Sequence, residues 1–168
     1  NRVIGIDNLS REGSEKNLKY LQNNCDFKFI HHDIRFPIDL PKTDIIYHLA
    51  AQVGMVTAMD NPREDFEVNA LGTFNVLEYA RKWNSFVAFP STNKVYGRIK
   101  VDKPVSEQTP LSFQTPYGCS KGAADQYVSD YNRVYDLPTV VFRQSCIYGP
   151  HQQGSEAQGW IAWFLIAN

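Results

Sequence analysis

Five short apolar runs, each released into polar residues at its carboxyl end, constrain this chain more than any other feature. They are Val3-Ile4-Gly5-Ile6-Asp7, Phe27 to Ile30 followed by His31-His32-Asp33, Asp44 to Leu49, Phe86 to Phe89, and Thr139 to Phe142. Such runs read as strands buried on both faces, the habit of parallel sheets. Helical segments alternate with them. Glu15 to Leu21 is expected to form a short helix. Asn61-Pro62-Arg63-Glu64 starts a longer one: a side chain that caps, a proline where no amide bond is lost, and a glutamate that reaches back. Its apolar residues Phe66, Phe74, Leu77 and Ala80 carry it to about Arg81, with Gly72 as a point of close packing. A third helix runs from Thr115-Pro116 to about Tyr135, and Trp160 to Ala167 reads as the start of another. The segment 34–43 holds Pro37 and Pro41 and is too short for a helical crossover, so a loop is expected. Residues 97–115 carry Pro104 and Pro110 without periodicity and are also expected as a loop.

This alternation predicts an α/β fold, a doubly wound parallel sheet of Rossmann type. In such sheets the site lies beyond the carboxyl ends of the strands. Asp7, Asp33, Ala50, Thr92 and Ser145 all follow strand ends and are expected along one edge. One domain is expected over 1–168, with a substrate-binding region beginning at about 150–168.

Composition narrows the function classes. The formal charge is −1, from 17 basic and 18 acidic residues dispersed along the chain, with no basic stripe to hold a phosphate backbone. Nucleic acid is therefore not expected as a partner, and no apolar run is long enough to predict a membrane span. Cys25, Cys119 and Cys146 lack metal or disulfide spacing, which predicts reduced thiols and a cytoplasmic setting. No metal site is expected, and His31, His32, His48 and His151 are read as structural.

Chemistry concentrates between Phe89 and Lys121. If a strand delivers Thr92 and a helix begins near Tyr117, then Tyr117 and Lys121, four apart, share one helical face beside a hydroxyl. Tyr96 and Lys100 have the same spacing, but Gly97 leaves them no helix. Half-ionising a phenol at pH 7 requires about 4 kcal/mol, which a nearby lysine and a positive nicotinamide ring are expected to supply in large part. Thr92 holds the substrate hydroxyl in this reading, and a surface Tyr-Lys pair is the bland alternative. Asp7 is placed to accept ribose hydroxyls and to repel a 2′-phosphate, favouring NAD over NADP, although Arg11 weakens that preference. A simple turn acid is the alternative for Asp7. Asp33 is a candidate for the adenine amino group or a solvated strand-end acid. The glycine-rich turn that seats a dinucleotide's pyrophosphate is absent ahead of Val3. The chain is thus expected to be a portion of such a domain, lacking a first βα unit and a carboxyl-terminal substrate region.

The motifs IDNLS at 6–10, HDI at 32–34, HLAAQ at 48–52, NALGTFNVLE at 69–78, STNKVYG at 91–97, PYGCSK at 116–121 and FRQSCIYGP at 142–150 together resemble the extended short-chain dehydrogenase/reductases acting on nucleotide sugars. Within that family STNKVYG, PYGCSKGAADQY and RQSCIYG followed by EAQGW look most like the branch of CDP-paratose (CDP-tyvelose) 2-epimerases. The 4,6-dehydratases of the family typically carry an Asp-Glu pair where this chain has Asn93-Lys94. The resemblance implies transient oxidation of a sugar carbinol by NAD and return of the hydride to the other face. It gives Tyr117 the role of base and then acid, Lys121 that of electrostatic partner and ribose anchor, and Thr92 that of hydroxyl holder. It places Asp7, Asn8, Ser10 and Arg11 at adenosine, Asp33 and Ile34 at adenine, and Leu49, Ala50 and Ala51 at the middle of the cofactor. Asn69 supports the site, and Asn93, Ser145 and Cys146 join Thr92 against a nucleotide sugar, a CDP-sugar being favoured. Helices 62–81 and 116–135 are candidates for a homo-oligomeric four-helix contact, but equally for covering the sheet. A 4-epimerase, a UDP-glucuronate decarboxylase-like enzyme and a non-catalytic NAD-binding scaffold remain alternatives.

Overall fold

The computed structural model describes residues 2–99, 104–155 and 158–167. They divide into two compact units, one of residues 34–145 and one of 1–33 with 146–168. Both are α/β with parallel strands.

In the unit 34–145, strands β3 (Ile45–Tyr47), β4 (Phe86–Thr92) and β5 (Thr139–Gln144) form a parallel sheet with β4 in the centre. Val87 to Thr92 register against Thr139 to Gln144, and Ile45 to Tyr47 against Phe86 to Ala88. Because the strands run together, Ala50, Thr92 and Ser145 emerge at one edge. The expected strand end at Phe89 falls short: pairing with β5 carries β4 on to Thr92 itself.

The predicted long helix is real but not uniform. It comprises α3 (Pro62–Phe66), a π-helical turn (Glu67–Leu71) and α4 (Gly72–Trp83). Asn61 Oδ1 accepts from Glu64 N at 3.3 Å while Asn61 Nδ2 donates to Glu64 Oε2 at 2.9 Å, which satisfies the first turn. Gly72 is where Ile34 presses in: a Cβ there would lie 2.6 Å from Ile34 Cδ1. A short helix that the sequence reading did not single out, α2 (Met55–Asp60), precedes α3. The helix α5 (Thr115–Tyr135) ends at Asp136, whose backbone is left-handed, just before Leu137-Pro138. Segment 34–43 contains no helix, as its prolines require.

Leu77 and Ala80 of α4, Val87 and Phe89 of β4, and Ala124, Val128 and Tyr131 of α5 form the core with Leu137. Ile46 and Val141 join it from the flanking strands. Side chains alternate along a strand, so Ile45, Tyr47, Phe86 and Phe142 point to the other face of the sheet, where they are exposed.

In the unit 1–33 with 146–168, β1 (Ile4–Asp7) pairs in parallel with β2 (Lys28–His31), so that Asp7 lies opposite His31. The helix α1 (Ser14–Asn24) connects them, longer at both ends than expected, and α6 (Trp160–Ala167) closes the described chain. Polar contacts tie the two segments: Asn17 Nδ2 donates to the His151 carbonyl at 3.1 Å and Arg11 Nη2 to that of Gln153 at 3.4 Å. Part of the EAQGW motif, Glu156 and Ala157, lies outside the described residues, as does Lys100 of the second Tyr-Lys pair.

Candidate functional site

Three elements of the unit 34–145 build the site. β4 ends on Thr92, whose Oγ1 accepts from Lys94 N at 3.2 Å and so opens a 3-10 turn over Asn93–Tyr96. α5 begins three residues before Gly118 and puts Tyr117 in its first turn and Lys121 one turn later. The Thr92 side chain lies near enough to the Tyr117 hydroxyl to ease its ionisation. The three groups therefore meet at the carboxyl end of the central strand.

Lys121 is 4% exposed. Its Nζ donates to the Pro90 carbonyl at 2.9 Å and sits 4.2 Å from the centre of the Phe89 ring. Burial lowers its pKa to about 8, opposed by the charges of Asp125 and Asp65. An ammonium has three donors; the Pro90 carbonyl takes one and leaves two to offer.

The groups that the protein itself supplies around Tyr117 make the phenol less acidic than usual. Its pKa is raised, by burial first and by the charge of Asp65, while the Thr92 side chain works the other way. The physical reason is that desolvation penalises a phenolate, and the charge of Asp65 adds to that penalty.

Behind these groups lies a buried polar layer. The Asn69 side chain, carried on the π-helical turn, accepts from Gln52 N at 3.0 Å. Its Nδ2 lies 3.1 Å from the Gln52 carbonyl, from Asp65 Oδ1 and from Ser120 Oγ. Two hydrogens serve three acceptors, so one bond is shared. Ser120 Oγ in turn donates to the Tyr117 carbonyl at 3.2 Å. Asn69 is thereby placed beside α5, next to the residues it was expected to support. π turns insert one extra residue into a helix and recur at functional sites.

Asp125, one further turn along α5, is fully buried and accepts from Arg143 Nε at 3.0 Å, Arg143 Nη2 at 2.9 Å and Ser91 Oγ at 2.6 Å. Burial pushes its carboxyl up, but Arg143 and Ser91 prevail and hold it below the ordinary range. Arg143 Nη1 also reaches the Tyr96 hydroxyl at 3.2 Å, which fixes the second Tyr-Lys tyrosine in a structural role. His48 is buried with its Nε2 2.9 Å from Thr73 Oγ1. Burial and the Lys121 charge lower its pKa to about 3, so it is neutral.

The remaining candidates fall as follows. Asn93 is half-buried in the 3-10 turn; Ser145 and Cys146 are exposed past β5. Leu49 and Ala50 are exposed after β3, and Ala51 is half-buried. Ile34 is committed to packing, buried against Gly72 with its carbonyl accepting from Asn75 Nδ2 at 2.9 Å. In the other unit, Asp7 Oδ1 accepts from Leu9 N at 2.6 Å and Asn8 Oδ1 from Ser10 N at 3.1 Å, which folds the turn after β1. Asn8 Nδ2 donates to Asp33 Oδ2 at 3.0 Å, and Arg11 lies exposed beside them. The exposed carboxylate of Asp7 at a strand end is the type of acceptor a ribose diol requires, and Lys121 has spare donors. Each of the two groups, taken within its own unit, is of a type that can meet a ribose hydroxyl.

Among the described residues no cluster of His, Cys, Asp and Glu could hold a metal, and the three cysteines are free and exposed. No helix there is long and apolar enough to cross a membrane.

Sequence reading missed Asp65, Ser120, Asp125 and Arg143. Periodicity held a signal for two of them: Asp125 continues the Tyr117–Lys121 face at the next turn, and Asp65 precedes Asn69 by one turn.

Residues 1–164 match the family model described as GDP-mannose 4,6 dehydratase. The chain is 46% identical over 185 residues to the CDP-paratose 2-epimerase of Salmonella typhi, covering 96% of this chain and 55% of that protein. It is 34% identical over 173 residues to the UDP-glucose 4-epimerase of Mycolicibacterium smegmatis, covering 98% and 54%. Among solved structures, a double mutant of the dTDP-glucose 4,6-dehydratase of Streptomyces venezuelae with NAD bound superposes with a TM-score of 0.86 at 30% identity, over 98% of this chain and 52% of that one. The chain spans about half the length of the curated relatives it matches.

Proposed function

Because this chain belongs to the NAD-dependent epimerase/dehydratase family of extended short-chain dehydrogenase/reductases, we propose that it is the catalytic part of a nucleotide-sugar epimerase of the CDP-paratose 2-epimerase kind. The observation that carries this reading is the meeting of Thr92, Tyr117 and Lys121 at the end of β4. Asp7, Asn8, Ser10 and Arg11 would hold the adenosine of NAD, Asp33 its adenine, Leu49 to Ala51 its middle and Lys121 a ribose, and the bound cofactor would supply a reversible hydride acceptor for the sugar carbon. Thr92 orients the sugar hydroxyl. Tyr117 Oη takes that hydroxyl's proton as the C–H and O–H bonds give way to a ketone, and restores it once the other face has been presented. Lys121 keeps the phenolate near its charge, and the raised pKa of Tyr117 without cofactor fits a base that is activated only when the site is charged.

Asn93 and Lys94 stand where a dehydratase of this family is expected to carry an acid and a base, which supports inversion over loss of water. Asn93, Ser145 and Cys146 are assigned to the sugar, and a CDP-sugar is favoured by the 46% identity to the Salmonella typhi enzyme. In the intact protein, Tyr117→Phe is expected to lower turnover about 10²- to 10⁴-fold while NAD stays bound. Unchanged turnover removes Tyr117 from this role. A panel of CDP-, UDP- and GDP-sugars assayed for inversion separates the 2-epimerase from 4-epimerase and decarboxylase activities.

A further inference from the structure

Lys121 is faced by two buried carboxyls, and they are held in opposite ways. Asp125 is neutralised by its own cation, Arg143, through two bonds. Asp65 has no ion pair among the described residues. It is 1% exposed, its Oδ1 accepts from Asn69 Nδ2 at 3.1 Å, and its Oδ2 has no hydrogen-bond donor. A buried carboxylate oxygen without a donor is costly, and nothing in the mechanism above uses it.

We propose that Asp65 is a positioning residue of the Tyr117–Lys121 couple: from α3 its buried carboxyl competes with the Tyr117 phenol for the single ammonium of Lys121, and through Asn69 and Ser120 it is tied to the backbone of Tyr117. The inference rests on the catalytic reading of Tyr117 and adds to it the group that sets its working pH. Burial raises the Asp65 carboxyl, while Ser120, Asn69 and the Lys121 charge oppose that. Asp65 in turn raises both Tyr117 and Lys121. The titratable and charged groups facing this cluster are His48 after β3, held neutral by burial; Asp65 on α3; Tyr117 and Asp125 on α5; and Arg143 on β5, which is bound to Asp125 and to Tyr96. Of the two carboxyls near Lys121, Asp65 is the one with no ion pair among the described residues.

The sign of the effect follows. The Asp65 carboxylate stabilises the ammonium and disfavours the phenolate, so its removal lets both protons leave at lower pH. In the intact protein, Asp65→Asn is expected to displace both limbs of the kcat/KM profile to lower pH together, by about one pH unit. A merely structural role lowers the height of the profile and leaves its position unchanged, and that result overturns the proposal. A second measurement needs neither turnover nor a foldable Asp65 variant. With ¹³C-labelled aspartate, the Asp65 carboxyl is expected to titrate above the ordinary aspartate range and to move higher still in Lys121→Met. A carboxyl that titrates in the ordinary range, or that ignores Lys121→Met, overturns the coupling even if Tyr117 proves to be the catalytic base. Conversely, retained turnover in Tyr117→Phe refutes the catalytic reading while the carboxyl titration still reports on Asp65.

Discussion

The two compact units are built to different standards of burial. In the unit 34–145, α4 and α5 close over β4, and Leu77, Ala80, Val87, Ala124 and Val128 lose all contact with solvent. In the unit 1–33 with 146–168, none of the described residues is buried, and the ties between its segments are exposed hydrogen bonds such as that of Asn17 with the His151 carbonyl. The groups assigned to proton transfer lie in the first unit, and those assigned to adenosine lie in the second. Proton chemistry gains from a dry, fixed environment because desolvation moves pKa values and sharpens electrostatics. Recognition of ribose and adenine needs only a shaped turn with exposed acceptors, such as Asp7 and Asn8 provide.

If that contrast is right, equal truncations must have unequal costs. Phe89→Ala, in the buried unit, is expected to cost about 3–5 kcal/mol, and it also removes the ring beneath the Lys121 ammonium. The half-buried Phe29→Ala on β2 is expected to cost about 1 kcal/mol. Guanidinium denaturation of the two variants reads the difference, and equal losses would break the comparison.

Buried charge should follow the same rule. Asp125→Ala strands Arg143 and is expected to destabilise by about 3 kcal/mol. Removing Arg63, the exposed partner of Glu67 at 3.1 Å, is expected to change stability by no more than about 0.5 kcal/mol.

A pH titration of stability sharpens the contrast further. His48 has its pKa lowered to about 3 in the folded protein against an ordinary value of 6.5. The unfolded chain therefore binds a proton that the folded one refuses. His48 contributes full stability above about pH 6.5, and that contribution is lost as pH falls toward 3, by up to about 1.4 kcal/mol per pH unit. His48→Gln is expected to flatten this acid slope. A slope unchanged in His48→Gln would place its origin in other groups.

A modest effect concerns helix starts. α1 opens on Gly13 with no side-chain cap, whereas α3 opens on Asn61 and its reciprocal bond with Glu64. Asn61→Ala is expected to cost about 1 kcal/mol, measured as a shift in the thermal midpoint.

Much of this was legible along the chain. The strands declared themselves as short apolar runs, Asn61-Pro62-Arg63-Glu64 announced its helix, and Gly72 proved to be the close contact it was read as. Thr92, Tyr117 and Lys121 could be grouped because a strand end and an i, i+4 helical face are local features. The polar layer was not legible, since Asp65, Asn69 and Ser120 meet only across two helices. The push of the protein's own groups on Tyr117 was not legible for the same reason: burial and the charge of Asp65 reach it from segments distant in the chain.

What the sequence determined by itself is the alternation of strand and helix, the order of the elements, and which side chains stand at strand ends and helix starts. These follow from periodicity and backbone propensity, which act over a few neighbouring residues. Only the tertiary structure decided that Asp125 has its own cation while Asp65 has none among the described residues, that His48 is neutral, and that Lys121 rests on Phe89 and the Pro90 carbonyl. Those are properties of dielectric and contact between segments distant in the chain, and a charge acquires its strength from its surroundings, not from its place in the sequence.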